Sequence, residues 1–286
     1  MFILIFLAIN LALFLFQGYY EENRYTLSPE KEMQLSKVLN SNGISIYKLI
    51  PSFYPTSQLE LKIPSDNKET IVERVLGKKV SSRIEANGLG ERVFTDKESL
   101  VFYVGDQLGL IYYTGVDEKY KPKNMTLSEV ESVASDFALE LFGDEVEMVI
   151  TAEKATEDGY RIEMNEKYKD SIVFQSYIKM SITEKGIEEA LATRYEPIGY
   201  VGQRKNIYPF DEIMYSLMYY LYDEIHSVHQ SDDKLKKIVR DIDIGYYLID
   251  SSTKEFVMQA DPYYRVIFED GDIYYINAYT NDIYVP

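Results

Sequence analysis

Residues 126–143 read TLSEVESVASDFALELFG, and this helix signal with the strand runs after it decides the fold. Thr126-Leu-Ser128-Glu129 is a helix-start signal, a hydroxyl with a carboxylate three residues on that can close a capping box. Val130, Val133, Ala134, Phe137, Ala138 and Leu141 recur at three- and four-residue spacing, so one face of the helix is apolar. Gly143 supplies the stop. Strand-like runs over 146–152, 159–168, 171–183 and 188–195 come next, separated by turn residues. A helix with one apolar face must bury it, and a meander of antiparallel strands provides the surface.

The same order recurs downstream. Tyr208-Pro209-Phe210-Asp211 opens a second helix reaching about residue 225, and strands come near 242–251, 254–264, 265–268 and 272–278. Residue identity between the two units is slight, so the repeat rests on pattern. Upstream, Ser28-Pro29-Glu30 begins a helix with Ser28 as N-cap and proline at its first position. Met33, Leu35, Val38 and Leu39 give it an apolar face, and Asn42-Gly43 ends it. Strands are expected at 44–47 and 58–63, a short helix up to Gly77, then strands at 81–86, 92–95, 99–104 and 110–114. The charged stretch 115–124, with Lys119, Lys121, Pro122 and Lys123, reads as a linker. The expected class is α+β, antiparallel-sheet domains with packed helices. It comprises an N-terminal domain over 27–115 and a C-terminal domain over 124–286 made of units 124–200 and 207–286.

Composition narrows the function. Of 286 residues, 47 are acidic and 30 basic, a formal net charge of −17. Nucleic acid is excluded as a partner, because phosphate must be neutralised by Lys and Arg. There is no cysteine, which removes disulfides, thiolate metal sites and a cysteine nucleophile. Tyrosine is frequent at 27 residues and tryptophan absent, which favours half-buried strands.

The chain starts MFILIFLAINLALFLF, sixteen residues without a charge, continued by Gln17, Gly18, Tyr19 and Tyr20. Residues 1–20 are long enough to cross a bilayer, with the tyrosine pair at the interface. No Lys or Arg precedes the apolar run, and Gln17-Gly18-Tyr19 is a poor cleavage site. An uncleaved transmembrane anchor is therefore expected rather than a signal peptide. Asn10 lies deep in this run, flanked by Ala8 and Ala12. Small residues four apart let two helices approach, and asparagine can bond across the contact, so Ala8, Asn10 and Ala12 form the candidate partner-binding face. The acidic domain is placed outside the cell.

Signals for catalysis are weak. His226 and His229 share a helix face near Asp223, Asp232 and Asp233, but no glutamate stands between them as in His-Glu-x-x-His. A solvated helix end fits better than a metal site. Gly-x-Ser-x-Gly and P-loop patterns are absent, and Asn87-Gly88-Leu89-Gly90 reads as a hairpin turn. No catalytic residue, metal or cofactor is expected. Tyr215, Met218, Tyr219 and Tyr222 form a stripe on a helix that also carries Ile213, Leu217, Leu221 and Ile225. Such an apolar helix is expected to be buried, with a partner-binding face as the lesser reading.

Three stretches together resemble a known family. They are the uncharged anchor with Asn10 inside Phe6-Leu-x-x-Asn10-Leu, Asp243-Ile-Gly-Tyr-Tyr247 after a charged turn, and a C-terminal pair of motifs. That pair is Asp261-Pro-Tyr-Tyr-Arg265-Val-Ile and Asp270-Gly-Asp-Ile-Tyr-Tyr-Ile-Asn-Ala-Tyr-Thr280. The chain resembles the YycI (WalI) family of membrane-anchored regulators, in order and length throughout. The ending is also similar to those of PepSY-type domains, so the units are expected to be PepSY-like or YycH-like. The resemblance implies a non-enzymatic extracytoplasmic protein that modulates a sensor histidine kinase of the YycG/WalK type, together with a YycH-like regulator, in cell-wall homeostasis. The alternative is an extracytoplasmic cell-wall enzyme or a PepSY-type inhibitory module. Two facing carboxylates with perturbed pKa values in a cleft would mark the enzyme; a tyrosine-lined exposed groove with no such pair would support the binder.

Overall fold

The computed structural model describes residues 6, 9–11, 13, 24–47, 52–64, 68–85, 88, 90–103, 110–115, 118–228, 236–248 and 257–286. Two compact units divide the chain. One comprises Met1–Gln58, Gly202–Gly245 and Asp261–Pro286; the other comprises Leu59–Val201 and Tyr246–Ala260. The expected segments 27–115 and 124–286 each contribute to both units.

In the second unit, α2 (Lys68–Val75) precedes β3 (Ser81–Ile84), β4 (Gly90–Phe94), β5 (Glu98–Tyr103) and β6 (Ile111–Gly115). Helix α3 (Leu127–Phe142) then precedes β7 (Met148–Ala155), β8 (Gly159–Tyr168), β9 (Ser171–Thr183) and β10 (Gly186–Thr193). The strands pair antiparallel in the order β3-β4-β5-β6-β10-β9-β8-β7. Val130, Ala134, Phe137, Ala138 and Leu141 of α3 are buried, as the spacing predicts. They pack with Ile71, Val72 and Val75 of α2 and with Leu100, Tyr113, Ile162, Ile178 and Ala190 of the sheet. Each helix stops at a glycine with left-handed backbone, Gly77 at φ +81° and Gly143 at φ +91°. Thr126 is the N-cap in extended conformation, but its side chain makes no capping bond. Backbone closes that turn instead, with the Glu129 N–H donating to the Thr126 carbonyl at 3.1 Å.

The stretch expected to be a linker is fastened down. A 3₁₀ turn at Glu118–Tyr120 buries Tyr120, whose ring meets Phe137 edge-on at 5.2 Å and Tyr113 at 6.1 Å. Its hydroxyl donates to Glu140 Oε2 at 2.6 Å. Charge and proline in the sequence concealed a single aromatic anchor. A second cluster in this unit joins Leu59, Leu61, Val173, Tyr246, Leu248, Met258 and Ala260. There β2 (Thr56–Lys62) and β13 (Val257–Phe268) pair antiparallel from Val257↔Lys62 to Ala260↔Leu59.

The first unit holds α1 (Pro29–Ser41), β1 (Ile44–Ile46), α4 (Phe210–Val228), most of β12 (Lys237–Tyr247), β14 (Ile273–Asn277) and β15 (Ile283–Tyr284). The N-cap reading of Ser28 holds: the Lys31 N–H donates to its hydroxyl at 3.4 Å. Leu35 and Leu39 of α1 share a core with Ile213, Leu217 and Leu221 of α4 and with Tyr264, Val266 and Ile276 of the strands. Strand β1 pairs parallel with the start of β12, Ile44 opposite Lys237. That is a departure from the all-antiparallel expectation, and a pairing between segments so far apart leaves no local trace. The expected strands 254–264 and 265–268 are one strand, β13. Arg265, which reads as a break, sits inside it because Asp243 neutralises it. Strand β11 (Glu196–Lys205) was hidden by Pro197, Gly199 and Gly202; it pairs with β2 at one end of the run β11-β2-β13, an edge position where such residues are tolerated.

The anchor expected over 1–20 falls largely outside the described residues. Within it, residues 6, 9–11 and 13 are helical. Among the described residues no helix is long and apolar enough to cross a membrane.

Candidate functional site

Of the expected partner-binding face, Ala8 and Ala12 lie outside the described residues. Asn10 is exposed, and its Nδ2 donates to the Phe6 carbonyl at 2.9 Å, four residues back. That bond satisfies one amide hydrogen locally, through a side-chain-to-backbone contact.

Helix α4 presents a second surface. Phe210, Ile213, Met214, Leu217, Met218 and Leu221 face inward and are buried. The opposite side carries Tyr219, 65% exposed, and Tyr222, 54% exposed. Tyr215 and Ser216 border it, and Glu212, Asp223 and Glu224 flank it in solvent. Positions 212, 215, 219, 222 and 223 fall on one side at three- and four-residue spacing. The stripe expected to be core is thus divided: Met218 is buried and two tyrosines are displayed. The signal was in the sequence, since the acids Glu212 and Asp223 share that spacing. A count of apolar residues around the helix obscured it. Ser216 accepts from Asn281 Nδ2 at 2.6 Å, which fixes α4 to the turn after β14.

The residues that carry the family resemblance hold the first unit together. Arg265 lies 2% exposed, with Nε 3.0 Å from Asp243 Oδ1 and Nη2 2.5 Å from Oδ2. Asp261 accepts from Gln58 Nε2 at 2.8 Å and from Asn277 Nδ2 at 3.2 Å. The Asn277 side-chain carbonyl accepts the N–H groups of Tyr279 and Thr280 at 2.8 and 3.1 Å, closing the Asn-Ala-Tyr-Thr turn. Lys237 reaches both carboxylates of Asp270-Gly-Asp272. These are bonds of architecture.

The second unit has its own polar centre at the β8–β9 bulge. Burial pushes the Glu166 carboxyl above its ordinary range, against the pull of the Arg194 guanidinium. Arg194 clasps it through Nε at 3.2 Å and Nη2 at 3.3 Å. Beside it the Asn165 amide donates to the Phe174 carbonyl at 3.0 Å and accepts from Thr151 at 2.6 Å. Two hollows open elsewhere in this unit. One of about 730 Å³ lies between the β7–β8 and β9–β10 hairpins and is edged by Glu157, Asp158, Glu184 and Lys185. The other, about 510 Å³, lies beside β3, β4 and β5. Gly88 turns the β3–β4 hairpin at φ +70°, as the Asn87-Gly88 pair predicts. Among the described residues no group of three or more His, Asp or Glu is arranged to hold a metal. The side chains of His226 and His229 lie outside the described set.

No protein-family model matches the chain, and no curated protein matches it. Among solved structures, the C-terminal domain of YpeB from Bacillus megaterium is similar, with a TM-score of 0.41 and 9% sequence identity. The match covers 78% of this chain and 98% of that domain. A likeness of that extent assigns neither a family nor an activity to this chain.

Proposed function

We propose that this protein is a non-enzymatic, membrane-anchored regulator whose helix-plus-strands units are PepSY-like. On this reading it lies outside the cell and modulates a sensor histidine kinase of the YycG/WalK type, in company with a YycH-like regulator. The observation that carries the reading is the outward face of α4, where Tyr219 and Tyr222 stand in solvent between acidic side chains. Tyrosine gives large, stiff, amphipathic contact area and is enriched where proteins meet. The sequence motifs around Asp243, Asp261 and Asp270 support the choice of partner. The anchor would bring the domain beside the kinase and add a contact through Asn10. Any effect on kinase output must come from binding its signalling states unequally.

Photocrosslinking in living membranes tests this reading. A benzophenone side chain placed at Tyr219 or Tyr222 should capture the sensor kinase or the YycH-like protein, and one at Asn10 should capture a transmembrane partner. The double change Tyr219→Ala/Tyr222→Ala should weaken the complex about a hundredfold, the scale of two interface tyrosines. Unchanged kinase signalling in that variant, with no crosslink at either tyrosine, would sink the reading.

A further inference from the structure

Strand β3 offers one side of a ladder. It pairs with β4 through Ser81↔Phe94, Ser82↔Val93, Arg83↔Arg92 and Ile84↔Glu91, and it ends the strand order. Among the described residues nothing pairs along its other side. The hairpin dictates which groups point there. The Glu85 N–H donates to the Gly90 carbonyl at 2.9 Å, which makes that opposed pair a hydrogen-bonded one. Bonded and non-bonded pairs alternate in an antiparallel ladder, so Arg83/Arg92 and Ser81/Phe94 are the next bonded pairs. Ser82 and Ile84 therefore turn their N–H and C=O groups away from β4. All four residues of β3 are exposed.

The side chains beside this edge select by charge. Arg83 lies on the face that holds the hollow of about 510 Å³, with Arg92, Phe94, Lys97, Ser99 and Thr114 also lining it. Arg92 is engaged, bonding Glu85 Oε1 through Nε at 2.5 Å and Ser99 through Nη1 at 2.9 Å. The hollow's two acids are engaged as well, Glu98 accepting from the Tyr113 hydroxyl at 2.7 Å and Glu188 from Thr183 at 3.1 Å. Arg83 rests over the Phe94 ring at 5.7 Å, and among the described residues neither it nor Lys97 has an ion pair. Ahead of β3 stand Lys78, which pairs with Glu73 at 3.1 Å, and Lys79, in a chain whose net charge is −17. Short strands and basic residues also guard edges against accidental pairing. Here, however, the cations gather around a concavity next to outward backbone groups, a combination that guarding alone does not require.

We propose that β3 is the docking edge for an extended acidic segment of a partner protein. The segment adds as a strand beside β3, bonds Ser82 and Ile84 through its main chain, and sets a carboxylate beside Arg83. Main-chain bonds give such a mode its affinity and alternate side chains give it specificity. A residue directly opposite Arg83 has its Cβ about 5 Å away, within reach of a bidentate ion pair. This surface belongs to the second unit and stands or falls apart from the α4 reading.

The test uses the full chain in lipid nanodiscs and an end-blocked, dye-labelled peptide of about seven residues alternating Glu and Thr. Its counterpart has Lys in place of Glu. Saturable binding of the glutamate peptide is expected, with the lysine peptide about tenfold weaker or more. Hydrogen exchange should slow at the Ser82 and Ile84 amides. Ser82→Pro removes one outward N–H and leaves the β3–β4 bonds in place, so it should cost about tenfold in affinity at unchanged melting temperature. Arg83→Glu changes only an exposed side chain and should reverse the preference between the two peptides. Several outcomes overturn the proposal. They are absence of saturable binding at millimolar peptide, full competition by inorganic phosphate, or a folded Ser82→Pro protein with unchanged affinity. Self-association of the chain that Ser82→Pro abolishes would assign the edge to a second copy instead.

Discussion

At the scale of single residues, the pair Arg265–Asp243 joins β12 to β13 through a guanidinium that is 2% exposed. Taking a guanidinium out of water is costly, and the two-pronged bond to Asp243 offsets that cost only while both partners remain. Removing Asp243 leaves a charge that is 2% exposed without its carboxylate. Asp243→Ala should lower unfolding stability by about 3 kcal/mol, read by urea titration. Asp243→Ala combined with Arg265→Met should recover more than half of the loss, because the apolar side chain no longer demands a partner. If the double variant is as weak as the sum of the single ones, the pair is not coupled in this way. Sequence motifs single out both residues without pairing them, since no period or spacing joins an Asp on one strand to an Arg on the next. Asn277 is a similar case. Its type suggests a turn, whereas its simultaneous bonds to Asp261 and Tyr263 needed the fold.

Among elements, legibility followed periodicity. Helix α3 and strands β8 and β9 lie where apolar spacing and turn residues put them, because each meets its core through side chains of its own. Elements whose identity depends on a distant partner were harder to read: β1 with its parallel pairing to β12, β11 with its proline and glycines, and the 115–124 stretch. That last case yields a prediction. Tyr120 fills space between Tyr113 and Phe137, and its hydroxyl is satisfied by Glu140. Tyr120→Ala should cost about 4 kcal/mol through cavity and lost contacts. It should also free the segment between β6 and α3 for cleavage by trypsin at Lys119 or Lys123. Tyr120→Phe keeps the ring and should cost about 1 kcal/mol, leaving the segment resistant. Equal trypsin sensitivity in the two variants would mean that the hydroxyl bond, rather than the ring, holds the segment. The α4 face was partly legible too. Tyrosines and acids at one spacing define it, yet only packing revealed that Met218 turns in while Tyr219 and Tyr222 turn out.

For the molecule as a whole, tyrosine fills roles that other chains divide among several aromatic types. With 27 tyrosines and no tryptophan, the same residue packs within the interior of each unit and displays the α4 surface. A buried phenol must keep its proton, and that gives the protein an alkaline limit. Burial pushes the Tyr274 hydroxyl up to about 12. Burial raises Tyr263, and it carries Tyr264 and Tyr120 well above the ordinary phenol range, with the neighbouring Glu140 adding to the effect at Tyr120. In the unfolded chain these groups ionise near pH 10. Below about pH 9 both states hold the protons, so this part of the stability is fully present. As pH rises past about 10 the unfolded state releases protons that the folded state retains, and unfolding becomes progressively easier. The sign is opposite to that of a paired carboxylate, which destabilises the fold on the acid side. Melting temperature should therefore fall steeply between about pH 10 and 12, and part of the rise in phenolate absorbance should coincide with the loss of strand ellipticity. If every tyrosine ionises while the ellipticity is still native, the buried phenols are not held neutral by the fold. In that case the tyrosine-centred packing of both units, on which the orientation of α4 and its exposed face depends, is wrong.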